Sequence, residues 1–210
     1  MRTMSLYCQV GKRIFDVSIS VVLIVLFAPV VLVIGGLVLI DLGLPMIFMQ
    51  VRPGYQGRPF SLLKFRTMKP RGGSEMGGSS DADRLTSSGR LLRRLSLDEL
   101  PELLNVLRGD MSLVGPRPLL MEYLERYTDE QARRHEVKPG ITGWAQVNGR
   151  NALSWNEKFE FDVWYVEHVS LWLDLKILAM TGWQVVTGKG VSAEGHATMP
   201  KFGGTEQDER

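Results

Sequence analysis

The hydrophobic pattern splits the chain into one long charge-free stretch and a series of short periodic segments. Between Asp16 and Asp41 no charged residue interrupts VSISVVLIVLFAPVVLVIGGLVLI. As a straight helix its roughly 24 residues reach about 36 Å, enough to cross the ~30 Å hydrocarbon core of a bilayer. A secretory signal has a shorter apolar core than this. Two features compete with a single span. Pro29 lies near the middle, where it removes a backbone hydrogen bond and kinks a helix. Each half is then about 16–18 Å long, enough to reach the midplane and return. Basic residues also flank both ends, Lys12 and Arg13 before and Arg52, Arg58, Lys64 and Arg66 after. The positive-inside bias puts both flanks in the cytoplasm, which one span cannot satisfy. The pattern alone leaves the span and the re-entrant hairpin equally open.

Beyond Pro45 the periods shorten. MIFMQV and PFSLLKF are apolar-rich runs joined by the turn-rich RPGYQGR, which predicts a β-hairpin. Residues 69–90 are rich in Gly and Ser without an apolar period and predict a loop, either an inert surface loop or a mobile lid. Leu100, Leu103, Leu104 and Leu107 recur at helical spacing; Pro101 fits only a first turn, and Gly109 suits a C-terminal cap. That helix is expected to begin at or just after Asp98. A second helix is expected over 119–135, and tight turns around a short strand over KPGITGWAQVNGR. Residues 155–187 predict two amphipathic helices carrying Trp155, Phe159, Phe161, Trp164, Tyr165, Trp172 and Trp183. Such aromatics ordinarily face a core, or a headgroup layer where a chain sits on a membrane.

Composition narrows the function classes. With 210 residues the chain has room for one domain. A formal charge of +2 is too small for a duplex-sized basic face, and no aromatic-basic interleaving accompanies the arginines between Arg90 and Arg117, so nucleic acid is not expected. Arg90, Arg93, Arg94, Arg108 and Arg117 instead suit a phosphorylated partner. The single cysteine, Cys8, precludes an intrachain disulfide and fits a reducing compartment.

The candidate chemistry lies in SLDELPELLNVLRGDMSLVGPRP, residues 96–118. Asp98 and Glu99 stand at a helix start, where an aspartate caps and a glutamate suits the dipole. Ser96 and Glu99 also match a capping box. The same carboxylates can hold Mg²⁺ with the phosphates it brings, and a carboxylate can accept a phosphoryl group as an acyl phosphate. In GPRP, Arg117 is a guanidinium on a stiffened backbone, suited to a phosphate or carboxylate or simply solvated in a tight turn. With the apolar segment, these two motifs suggest a phosphate-bearing substrate at a bilayer surface.

KRIFD at 12–16, KFRTM at 64–68, LSLDELPELLNVLRGDMSLVGPRPLL at 95–120 and KPGITGWAQVNGR at 138–150 resemble the bacterial sugar transferases. More narrowly, they resemble the small monotopic phosphoglycosyl transferases, and among these the bacillosamine-phosphate transferases that begin protein glycosylation. DVWYV at 162–166, DLKIL at 174–178 and GVSAEGH at 190–196 extend the likeness over roughly residues 11–203. The resemblance implies transfer of a sugar 1-phosphate from a UDP-sugar, N,N'-diacetylbacillosamine or a related 2-acetamido sugar, to undecaprenyl phosphate with Mg²⁺. It implies an α+β, mostly helical fold with a re-entrant membrane helix at 1–44, a catalytic domain at 45–203 and a polar tail at 204–210. The domain would carry the β-hairpin and interfacial amphipathic helices and face the cytoplasm from the bacterial inner membrane. A second copy of the chain is left open as a partner. Asp98 and Glu99 become the catalytic dyad and the metal ligands. Lys64, Arg93, Arg117 and Arg150 become phosphate and uridine contacts, with Asp162 as a partner for one of them or an acid standing behind the contact residues. Where the family often has Ser-Pro at the helix break, this chain has Ala28-Pro29, and an alanine cannot satisfy the backbone group that proline frees. The competing class is a membrane-anchored nucleotide-sugar-binding or regulatory protein without turnover, against which the intact acidic pair weighs.

Overall fold

The computed structural model describes residues 7–70, 84–149, 153–187 and 202–204. After a π-helical turn at Tyr7–Gly11, helix α1 runs unbroken over Lys12–Leu42 with Pro29 inside it. The expected interruption at Ala28-Pro29 is thus not a break in secondary structure. A proline deletes one hydrogen bond and can bend a helix without ending it.

Polar side chains fasten α1 to the rest of the chain at both ends. Near its start, Arg13 donates to the carbonyls of Val106 (2.5 Å) and Leu107 (2.7 Å), and buried Asp16 accepts from the Leu113 amide at 3.1 Å. Lys12 pairs with Asp174 at 2.6 Å. Asp174 also takes hydrogen bonds from Tyr7 and Tyr165 and is fully buried. At the far end Arg66 donates to the Leu42 carbonyl at 2.6 Å, and Ser88 bonds Asp41. One face of the helix stays exposed through its middle, at Val25, Leu26, Leu32 and Val33.

Strands β1 (Ile47–Pro53) and β2 (Pro59–Phe65) form the expected antiparallel hairpin, in register from Ile47 opposite Phe65 to Pro53 opposite Pro59. Helix α2 (Ser87–Arg94) begins on Thr86, whose hydroxyl accepts from the Gly89 amide. The expected loop at 69–90 therefore ends earlier, at this cap; residues 71–83 of it lie outside the described residues. Gly89 lets α2 lie against the Thr67 backbone, since a Cβ there would fall 2.1 Å from the Thr67 oxygen. A 3-10 turn at Leu97–Glu99 leads into α3 (Glu102–Arg108), which stops at Gly109 with φ of 93°.

Strand β3 (Ser112–Val114) pairs in parallel with β4 (Gly140–Thr142), Ser112 opposite Gly140 and Val114 opposite Thr142. Between them the single helix expected over 119–135 is divided. A 3-10 segment covers Met121–Arg126, Tyr127 is extended, and Thr128 opens α4 (Asp129–Ala132) with a capping box to Gln131, followed by another 3-10 turn at Arg133–Glu136. The Thr128 cap starts a new helix where a continuous one was expected. Helix α5 (Trp144–Asn148) follows β4, then the two expected helices, α6 (Trp155–His168) and α7 (Leu171–Thr187). The architecture is α+β and mostly helical, with two small sheets.

The aromatics divide between core and surface. Trp155, Phe159 and Tyr165 are buried, whereas Trp172 and Trp183 on α7 are 79% and 67% exposed. Tyr123, Trp155, Phe159 and Phe202 form an aromatic cluster that draws a C-terminal segment onto the body. A larger cluster of Leu62, Leu103, Val106, Leu113, Tyr165 and Ile177 carries Phe15, Ile19 and Leu23 of α1. The outer half of α1 packs Ile34 and Val38 on Phe65 and Leu92, and Leu100 touches both clusters.

Asn105, fully buried on α3, takes the place of a neighbouring strand for β2. Its Oδ1 accepts from the Leu63 amide at 3.0 Å and its Nδ2 donates to the Ser61 carbonyl at 2.8 Å. Asn105→Ala leaves both backbone groups unpaired and is expected to destabilise the fold by about 2–4 kcal/mol. Thermal unfolding of the two proteins in the same detergent checks this; an unchanged midpoint rules out the bridging role.

Candidate active site

The site forms where the hairpin, the turn before α3 and the GPRP loop meet. Ser96 sits in the left-handed region at φ 55° and makes no capping hydrogen bond. The capping box expected of Ser96 and Glu99 is therefore absent, because the chain turns at Ser96 and delays the α-helix to Glu102. Asp98 is released from capping as well. Its carboxylate is buried and has no hydrogen-bond partner among the described residues.

Glu99 is held tightly. Its Oε1 accepts from Lys64 Nζ at 2.6 Å and from Arg117 at 2.5 Å. Burial opposes its ionisation, but Arg117 and Lys64 outweigh burial and hold the carboxyl well below the usual range. Asp98 goes the other way. Burial and then Glu99 raise its pKa, against the pull of Lys64, Arg93 and Arg117. Arg93 is oriented by its Nε–H donating to Thr67 Oγ1 at 3.0 Å. The Arg117 side chain remains 43% exposed, so the clamp faces solvent on one side.

A third carboxylate, Glu102, was not foreseen. It is 2% exposed and lies 3.2 Å from Lys64 Nζ, so one ammonium serves two acids. Burial and Glu99 push its pKa up to about 7. The signal was legible, since Glu102 stands four residues after Asp98, one helical turn away. Arg52 is also part of the surroundings. Burial and the neighbouring Arg117 depress its pKa, and its buried Nε has no partner among the described residues.

Of the residues expected to act together, Lys64, Arg93, Asp98, Glu99 and Arg117 are brought into one cluster. Asp162 is not. It is buried in an ion pair with Arg134 at 2.6 Å, and that arginine in turn donates to the Arg117 backbone carbonyl. Arg150 lies outside the described residues. Among the described residues no group of three His, Cys, Asp or Glu side chains is arranged as a metal centre. A hard cation still fits the two acids. Asp98 is a buried oxygen donor without a partner, and Glu99 has both its cations on one oxygen, leaving the other free among the described residues.

Fold and site together define a class: a small α+β protein carrying a helix long and apolar enough to cross a membrane, with an acidic pair set among basic side chains. The chain belongs to the bacterial sugar transferase family, whose profile matches residues 7–188. It is 54% identical over 194 residues to the sugar transferase EpsL of Bacillus subtilis (strain 168), covering 92% of this chain and 96% of that one. It is 41% identical over 180 residues to the UDP-glucose:undecaprenyl-phosphate glucose-1-phosphate transferase of Escherichia coli (strain K12), covering 81% of this chain and 39% of that one. To the UDP-N-acetylgalactosamine-undecaprenyl-phosphate N-acetylgalactosaminephosphotransferase of Aeromonas hydrophila it is 39% identical over 189 residues, covering 85% and 44%. The chain thus spans nearly all of the first relative and less than half of the other two.

The proton on Glu102 gives a pH test. Because its folded pKa is raised to about 7 from 4.5, the folded protein holds that proton more tightly than the unfolded chain. The stability this contributes is complete below about 4.5 and lost as pH rises through about 7. Glu102→Gln is expected to flatten the fall in melting temperature between about pH 5 and 8. Parallel melting curves for wild type and variant across that range contradict it.

Proposed function

We propose that this chain is a phosphoglycosyl transferase that moves a sugar 1-phosphate from a UDP-sugar to undecaprenyl phosphate and releases UMP. The observation that carries the reading is Asp98, a largely buried carboxylate with no hydrogen-bond partner among the described residues, beside an acid that two cations already hold. Burying an unpaired carboxylate is costly, and a purely structural acid in that place would be expected to find donors. A nucleophile needs its lone pair free. Two relatives are named for sugar-phosphate transfer to undecaprenyl phosphate, which agrees.

An Asp98 oxygen attacks the phosphorus that carries the sugar. The bond from that phosphorus to the UMP oxygen breaks, UMP leaves with the electron pair, and the sugar phosphate stays on Asp98 as an acyl phosphate. An oxygen of undecaprenyl phosphate then attacks the same phosphorus, the acyl-phosphate bond breaks, and the carboxylate is restored. Lys64 and Arg117 set positive charge where the departing phosphate gathers negative charge, and Arg93 adds to it from beyond Asp98. Glu99 and Asp98 would hold Mg²⁺, which neutralises the diphosphate when bound. For the sugar, N,N'-diacetylbacillosamine stands as the expectation of the resemblance beside the glucose and N-acetylgalactosamine named for relatives. Release of UMP from a panel of these UDP-sugars, with undecaprenyl phosphate added, decides among them.

The same proposal has α1 dip into the cytoplasmic leaflet of the inner membrane and return. The attachments of Lys12 and Arg13 at one end and of Asp41 and Leu42 at the other to a single body support it. A straight 31-residue helix would separate those ends by about 46 Å, and a span would put them on opposite faces. The exposed Trp172 and Trp183 of α7 favour a seat at the headgroup layer.

Mass spectrometry of protein quenched with UDP-sugar and Mg²⁺ alone is expected to find a phosphosugar adduct on Asp98. Asp98→Asn is expected to lower turnover by several orders of magnitude, on the order of 10³-fold or more, with folding retained. An active Asp98→Asn protein, with no adduct on the wild type, removes the two-step reaction. For topology, Val10→Cys and Ser61→Cys in a Cys8→Ser background are both expected to escape an impermeant thiol reagent in intact cells. Labelling of one alone makes α1 a true span.

A further inference from the structure

The buried Arg134 guanidinium bonds through all three of its nitrogens, and no step above employs it. It is 2% exposed. Its Nε–H and one terminal nitrogen donate to Asp162 Oδ2 at 3.0 and 2.6 Å. That same nitrogen donates to the backbone carbonyl of Arg117 at 2.8 Å, and the other reaches Tyr127 Oη at 3.3 Å. The guanidinium also lies over the Tyr127 and Phe159 rings, 5.8 and 5.7 Å from their centroids. Nothing in this arrangement is free to turn.

From these contacts we infer that Arg134 is the positioning residue for Arg117, and so for the clamp on Glu99; this rests on the transfer reaction proposed above. Arg117 stands between Pro116 and Pro118, which restrict its backbone but do not aim it. The aim comes from the backbone carbonyl that Arg134 grips, which fixes the residue whose side chain reaches Glu99. A buried ion pair is poor evidence for stability, because well-packed apolar residues often serve as well. Its specific product here is the third hydrogen bond, which only a forked guanidinium fixed on Asp162 can direct at Arg117. Asp162 acts through Arg134 in the same chain of contacts.

The test is a double-mutant cycle on UMP release in the full-length protein. Arg134→Lys keeps the charge beside Asp162 but loses the fork. Alone it is expected to lower kcat by roughly 10–100-fold, the cost of a slightly misplaced group, with KM for the UDP-sugar changed less than about twofold. In an Arg117→Ala background the same substitution is expected to change kcat less than about twofold, because the group it aims is gone. A merely structural role predicts equal losses in both backgrounds, and that result overturns the assignment. Asp162→Asn provides a second cycle against Arg117→Ala should Arg134→Lys not fold, with the same two outcomes. A wild type that releases no UMP overturns the reaction and the assignment with it, whereas an active wild type with additive effects overturns the assignment only.

Discussion

One carboxylate oxygen, Glu99 Oε1, joins three separate pieces of chain. Lys64 comes to it from β2, Arg117 from the loop after β3, and Glu99 itself from the turn before α3. The electrostatics of the surrounding acids follow from this contact. Lys64 and Arg117 hold Glu99 ionised, and burial together with that fixed negative charge raises the pKa of its two neighbours, Asp98 and Glu102. Three acids in one small space therefore differ in what they can do. Glu99 is a standing charge, Glu102 a buried carboxyl that holds its proton more tightly than usual, and Asp98 a buried acid with no hydrogen-bond partner among the described residues.

The hydrophobic anchor is tied into the same frame. Arg13 binds the last carbonyls of α3, the helix that follows the dyad, and Asp16 binds the Leu113 amide in β3, the strand that leads to Arg117. Tyr165 lies within hydrogen-bond distance of both Val114 and Asp174, and Asp174 carries Lys12. The polar start of α1 is thus in contact with both elements that present the site. For the transfer reaction proposed above, this connection would tie the level of Asp98 to the level of α1.

Much of this was legible locally. The hairpin followed from two apolar runs around RPGYQGR, and the stop of α3 from Gly109, because hairpin turns and helix ends are governed by residues a few positions apart. The helix expected over 119–135 was misjudged because a local capping box, Thr128 with Gln131, begins a new helix inside it. The capping box at Ser96 was misjudged for the opposite reason. Its residues were right, but packing placed Ser96 in a left-handed turn that a pattern cannot register.

The sequence by itself determined the apolar length of α1, the order of the main elements and the pairing of Asp98 with Glu99, since each depends on composition or near neighbours. Only the tertiary structure decided which bases reach those acids, because Lys64 is 35 residues from Glu99 and Arg117 is 18. It also decided that Glu102 joins them, that Asp162 faces Arg134 instead of the clamp, and that β3 pairs with β4. The physical reason is burial. Desolvation and long-range charge set which carboxylate is ionised, which is paired and which is left free, and neither quantity exists until the chain has closed around them.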